Sequence, residues 1–157
     1  MEKAVDSLCK TICTVGPLGY SPIAPGTLGA VACLPFISVL NLFSKIHQIS
    51  ILIVGVVLSV AVVARYIKGK KDKDPNEVVI DEFVGTLTAC MFVPANINWQ
   101  VSALLAFRLF DIVKPWPVSW IDKRLKNAWG VVGDDVIAGT MGGGILFLIQ
   151  WYLQLTS

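Results

Sequence analysis

Acidic side chains without histidine or cysteine partners dominate the chemistry open to this chain. Asp81 and Glu82 stand side by side in VVIDEFVGTL, residues 78–87, at the start of a long apolar run. A carboxylate in such a run is costly unless it meets a cation, a metal ion or a proton. Two more clusters follow in comparable settings: Arg108 and Asp111 in FRLFDIVKPWP, and Asp134 and Asp135 in GVVGDDVIAG. Arg108 and Asp111 are three apart and share a helix face; on their own they would also serve as a simple intramembrane ion pair. Asp81 and Glu82 diverge by about 100° on a helix, so one faces a site while the other flanks it or meets a neighbouring helix. Asp134 and Asp135 fit a helix N-terminus, where the dipole favours them and capping alone would account for one.

Carboxylates with no imidazole or thiolate beside them suit a hard cation. Mg²⁺ takes oxygen ligands, commonly one or two carboxylates with waters and a substrate phosphate. Arg108 and Lys114 supply positive charge suited to that phosphate. The chemistry suggested is metal-assisted hydrolysis of a phosphoester, with a carboxylate as general base. Asp81, Glu82, Asp111 and Asp135 are the candidate metal ligands, and Asp134 joins them as a candidate catalytic acid. Upstream, GYSPIAPGTLGA (19–30) is a Pro/Gly loop opening a helix, a setting that can present backbone N–H groups to an anion or be a plain turn. Thr27 reads as the N-cap of the following run, and Ser21 and Thr27 are the candidate substrate-binding hydroxyls of this loop.

The elements that must position these groups are apolar. The chain has 157 residues, read as a single domain, with 55% hydrophobic and 15% charged residues and a mean hydropathy of +0.69. Soluble domains run nearer 25% charged, so an integral membrane protein is expected. A net charge of +2, with no interleaved basic and aromatic residues, argues against nucleic acid. Cys9, Cys13, Cys33 and Cys90 form no CxxC pair and His47 is the lone histidine; buried thiols are expected, not zinc. MEKAVDSLCKT lacks the apolar core of a signal peptide, and residues 1–19 read as an amphipathic or interfacial segment.

Five apolar runs follow: Leu28 to about Phe43, Ile49 to Ile67, Val78 to about Val93, Gln100 to Val113, and Val136 to Leu155. The expected fold is all-α, a compact helical bundle of about five apolar, transmembrane helices. The fourth run is short for a full span, and KPWP stops it. With the 68–77 loop placed in the cytoplasm, every Lys and Arg except Lys45 falls on that side, as the positive-inside rule asks. The same count brings the three acidic clusters and the Pro/Gly loop to one membrane level, the cytoplasmic end. Glycines near Gly139 and Gly143 suggest close helix packing in the last run.

IDEFVG, FRLFDIVKPWP with Asp122 beyond it, and GDDVIAG, preceded by SPIAPGT, resemble the phosphatidylglycerophosphatase A family over residues 15–150. The resemblance implies a Mg²⁺-dependent phosphatase of the bacterial inner membrane, multi-pass, converting phosphatidylglycerophosphate to phosphatidylglycerol. It places Asp81, Glu82, Arg108, Asp111, Lys114, Asp134 and Asp135 on the family's motif positions. Other phosphatase chemistries are excluded by residue: no Cys-x₅-Arg, no DxDx[TV], and one histidine where a phosphohistidine lipid phosphatase needs two. Two rival classes exist, a small cation or proton transporter using the acids as a relay, and a structural membrane subunit whose charges only pair its helices. The clustering of the acids at one level argues against the transporter.

Overall fold

Proline, glycine and asparagine cut the apolar runs into helices, and a computed structural model describes residues 2–156 of the result. In chain order these are α1 (Glu2–Cys13), a 3₁₀ turn (Leu18–Tyr20), α2 (Pro25–Leu40), α3 (Lys45–Tyr66), α4 (Ile80–Cys90), α5 (Ile97–Val113), α6 (Val118–Arg124) and α7 (Ala128–Thr156). The described residues contain no strand. Each of the five apolar runs is a helix, and the all-α expectation holds.

Several ends differ from the expectation. Asn96 caps α5 by accepting from the Asn98 N–H at 2.9 Å. Asn127 does the same for α7, its Oδ1 accepting from Trp129 N at 3.0 Å and Gly130 N at 3.2 Å. That cap starts α7 well before Val136, so Asp134 and Asp135 lie inside the helix, not at its N-terminus. Thr27 is not a cap either. Ala24 occupies that position in the left-handed region, at φ 46°, and Pro25 opens α2, where its missing N–H costs nothing. His47 belongs to the first turn of α3, its ring bonded to Ser44 Oγ at 2.7 Å. All four cysteines are buried and unpaired.

Length separates the helices. The 22 residues of α3 and the 29 of α7 are long and apolar enough to cross a bilayer, whose hydrocarbon core is about 30 Å thick. The 11 residues of α4 reach only about 16 Å, so the third run is a short helix enclosed by its neighbours. Along α3, Ile49, Ile53, Val54, Val57 and Leu58 are exposed, as are Phe147, Leu148, Trp151 and Leu155 of α7. Exposed apolar faces of this extent are surfaces suited to a partner or a membrane.

The core sits where α4 packs on α7, with α5 against both and α2 against α4. Small residues allow the approach. A Cβ on Gly139 would strike the carbonyl oxygen of Gly85, and one on Gly143 would lie 2.6 Å from that of Ala89. Phe107, fully buried, fills the space beside Gly85. Gly55 on α3 differs, because a Cβ there meets nothing within 4 Å. Gly139→Leu is therefore expected to destabilise the fold by about 1–3 kcal/mol or more through overpacking. Gly55→Ala should be neutral or stabilising by up to about 1 kcal/mol. Thermal unfolding in detergent distinguishes the two, and equal melting temperatures would contradict the packing assigned to α4 and α7.

Candidate metal and phosphate site

Helix polarity gathers the charged groups at one end of the bundle. There α2 and α4 begin, α5 ends, and α7 passes through its second turn. Asp81 and Glu82 lie in the first turn of α4, Arg108 and Asp111 in the last turns of α5, and Asp134 and Asp135 on α7. Their side chains line a cavity of about 530 Å³.

Its floor is a carboxylate triad. One oxygen each from Asp81, Glu82 and Asp135 lies within 4.8 Å of the others. Asp81 and Asp135 are buried, while Glu82 is partly exposed. Adjacent residues were expected to diverge, yet both Asp81 and Glu82 reach this cluster. Asp81 Oδ1, Glu82 Oε2 and Asp135 Oδ2 have no hydrogen-bond partner. Three carboxylates this close cannot all be ionised without a compensating cation. The all-oxygen donors and their unpartnered atoms are chemically suited to hold a hard metal ion.

Asp111, expected among the metal ligands, lies outside this triad. It accepts from Arg108 Nη1 at 2.6 Å, and the same nitrogen lies 3.7 Å from Glu82 Oε1. Arg108 itself lines the cavity, and its Nε is buried and unpartnered. Asp134 also does other work. Its Oδ2 accepts from Lys114 Nζ at 2.8 Å, and its Oδ1 accepts from the Asp135 backbone N–H at 3.1 Å. Lys114 gives a second bond, 2.9 Å, to Asp122 Oδ1. Burial alone would lower the Lys114 pKa, but the two carboxylates outweigh it and hold the ammonium above the ordinary lysine range. The hydrogen bond from Lys114 in turn holds Asp122 below the usual carboxylate range.

The Pro/Gly loop forms one wall. Pro25 and Gly26, in the first turn of α2, line the cavity. A Cβ on Gly26 would overlap the Glu82 carboxylate and come within 3.2 Å of Arg108 Nη1, so glycine is the residue that leaves room for both. Ser21 lines the same wall, its hydroxyl bonded to Ile23 O at 2.9 Å. Thr27 is not among the lining residues. Sequence reasoning assigned no role to Asp74, Glu77 or Tyr20, which complete the wall. Asp74 and Glu77 had only their charged loop as a signal, and Tyr20 only its place in the Pro/Gly loop.

The sequence profile of the family Phosphatidylglycerophosphatase A matches residues 11–150. A phosphatidylglycerophosphatase A of Escherichia coli is 32% identical over 142 residues, covering 88% of this chain and 83% of that protein. One of Haemophilus influenzae is 37% identical over 82 residues, 51% of this chain and 50% of that protein. A Bacteroides thetaiotaomicron protein, provisionally named a phosphatidylinositol-3-phosphatase, is 32% identical over 142 residues, 86% of this chain and 89% of that protein. No solved structure matches.

The triad gives a prediction that needs no substrate. Mg²⁺ or Mn²⁺ should raise the melting temperature of the detergent-solubilised protein, by about 2.7 kcal/mol of stability at a hundredfold excess over the dissociation constant. Asp135→Asn should remove that shift, and Gly26→Ala should weaken it by displacing Glu82. An unchanged shift in Asp135→Asn would take that residue out of the metal site.

Proposed function

The chain belongs to the phosphatidylglycerophosphatase A family, and from that premise we propose that it hydrolyses phosphatidylglycerophosphate to phosphatidylglycerol and phosphate at the carboxylate triad. It is a phosphoric monoester hydrolase. The observation that carries this reading is the meeting of Asp81, Glu82 and Asp135 with two cations, Arg108 and Lys114, on one cavity.

In our reading the triad holds Mg²⁺, which when bound would neutralise the carboxylates and polarise a phosphoryl oxygen. The protein's own groups do the remaining work. Arg108, braced by Asp111, presents a planar guanidinium to the phosphoryl oxygens, and its fork geometry selects a tetrahedral dianion over a point charge. Lys114 supplies the second cation from the other side of the cavity. Glu82 is the triad member that water reaches, and it is the proposed proton acceptor for the attacking water. Asp134 fixes Asp135 and Lys114 relative to each other through its two oxygens. Ser21 and the start of α2 close the wall near the head group.

The apolar faces of α3 and α7 support membrane embedding, with the cavity at the bilayer surface. Lys45 opens α3 at the opposite end from Arg65, which pairs with Asp6 of α1 at 2.9 Å. This distribution supports a cytoplasmic site on a multi-pass protein of the bacterial inner membrane. A lipid phosphomonoester is then the substrate whose reacting group lies at the cavity while its acyl chains stay in the bilayer. A transporter would need acids stepping along its spans, and beyond Asp135 the rest of α7 carries none.

Protein purified in detergent should release phosphate from phosphatidylglycerophosphate with Mg²⁺, and EDTA should stop it. Absence of release with Mg²⁺ present would sink the proposal. Asp81→Asn and Asp111→Asn should each lower kcat by about a hundredfold or more. Only Asp81→Asn should also lose the cation-induced rise in melting temperature, because Asp111 braces Arg108. Arg108→Lys keeps the charge and loses the fork, and should fall between these variants and wild type.

A further inference from the structure

Lys114 reaches the cavity from an unusual place. It ends α5 in the left-handed region, at φ 46°, a conformation seldom adopted by residues with a Cβ. Two carboxylates approach its ammonium at nearly equal distances, Asp134 Oδ2 at 2.8 Å and Asp122 Oδ1 at 2.9 Å. They come from different sides. Asp134 lines the cavity and Asp122 does not. Asp122 belongs to α6, a seven-residue helix that packs on α7, and it is partly exposed.

We propose that Asp122 is a positioning residue for the reaction. It holds the Lys114 ammonium at the cavity edge, available to a phosphoryl oxygen, instead of leaving it drawn onto Asp134. An ammonium is a compact charge on a flexible stem and follows the nearest carboxylate. With Asp134 as the single partner, the pull is toward α7 and the Asp134–Asp135 segment. Asp122 supplies an opposing pull from behind, and a phosphate can then replace one of two bonds without stripping the lysine of all partners. The exposed Lys123 and Lys126 also face Asp122, but neither lines the cavity. Asp74, which does line it, adds negative charge near Lys114. A simple staple would explain the bond to Asp122 but not its sharing of one nitrogen with a cavity acid.

This inference rests on the reading of Lys114 as a phosphate-binding group, and its test separates the two. Inorganic phosphate, the reaction product, serves as probe, with binding to the Mg²⁺-loaded protein in detergent measured by calorimetry. Asp122→Asn should weaken phosphate binding and raise KM, each by about tenfold, as expected for a charge-assisted hydrogen bond, with a smaller change in kcat. Asp122→Glu should recover part of the loss. In a Lys114→Ala background Asp122→Asn should add less than about twofold, since both act through one ammonium. A lower melting temperature with unchanged phosphate affinity, or equal effects in both backgrounds, would overturn the proposal. Phosphate binding with the expected pattern but no lipid hydrolysis would instead overturn the enzymatic reading, and with it any role of Asp122 in the reaction, while leaving its positioning of Lys114 for phosphate standing. A wild-type protein that binds no phosphate would overturn the role of Asp122 as well.

Discussion

Like charges repel most strongly where water is scarce, and that constraint governs the architecture around Asp81, Glu82 and Asp135. Their oxygens converge within 4.8 Å, with two of the three residues buried. Such a cluster persists only if the scaffold holds it against its own repulsion and a cation or a proton neutralises part of its charge. The scaffold is the α4–α7 contact. Gly85 and Gly139 bring the two backbones close enough for acids on different helices to share a ligand. Bulkier residues there would separate Asp135 from Asp81 before they touched the acids themselves.

Around the triad, the other acids serve the cations. Asp111 takes one nitrogen of Arg108 at 2.6 Å, and Asp134 and Asp122 take the ammonium of Lys114. The division follows from geometry. A carboxylate whose oxygens are already committed to an ammonium and a backbone N–H, as in Asp134, has little left for a metal ion. One with an unpartnered oxygen, as in Asp135, does. Two bases of charge thus surround the cavity, a carboxylate floor that favours a cation and a cationic rim that favours a phosphate. Their joint presence distinguishes the site from an ion pathway, which has no use for the rim.

The position of this cavity relative to the apolar faces makes sense of a lipid substrate. Exposed isoleucines, valines and leucines on α3, and the aromatic and aliphatic residues near the end of α7, cannot be satisfied by water over such an extent. The charged cavity lies at one end of the bundle, which in the proposed reading is where a head group and its acyl chains part company. The short α4 belongs to this arrangement. Its first turn opens on the cavity and carries Asp81 and Glu82 there.

Much of this was legible in the residues themselves. The run of apolar segments determined an all-helical bundle, and the bias of lysine and arginine determined that acids 81, 82, 111, 134 and 135 share one end, because helix rise and loop charge are local properties. The motifs determined the family for the same reason, being contiguous strings. What the tertiary structure decided was which acids meet. Asp81 and Glu82 both reach the cluster, where α7 brings Asp135 and α5 brings Arg108 beside Glu82. Asp111 turns to Arg108, one turn back on α5, and Asp134 to Lys114 at the end of α5, because those cations lie within bonding distance of their oxygens. The start of α7 at Ala128 is a local signal, carried by the Asn127 cap. The pairing of Lys114 with Asp122 was not written anywhere local, since it depends on how α6 folds back after two prolines. Gly26 shows the difference most simply: its type suggested a turn, and only the packing of α2 beside α4 revealed that its missing side chain is the space occupied by the Glu82 carboxylate.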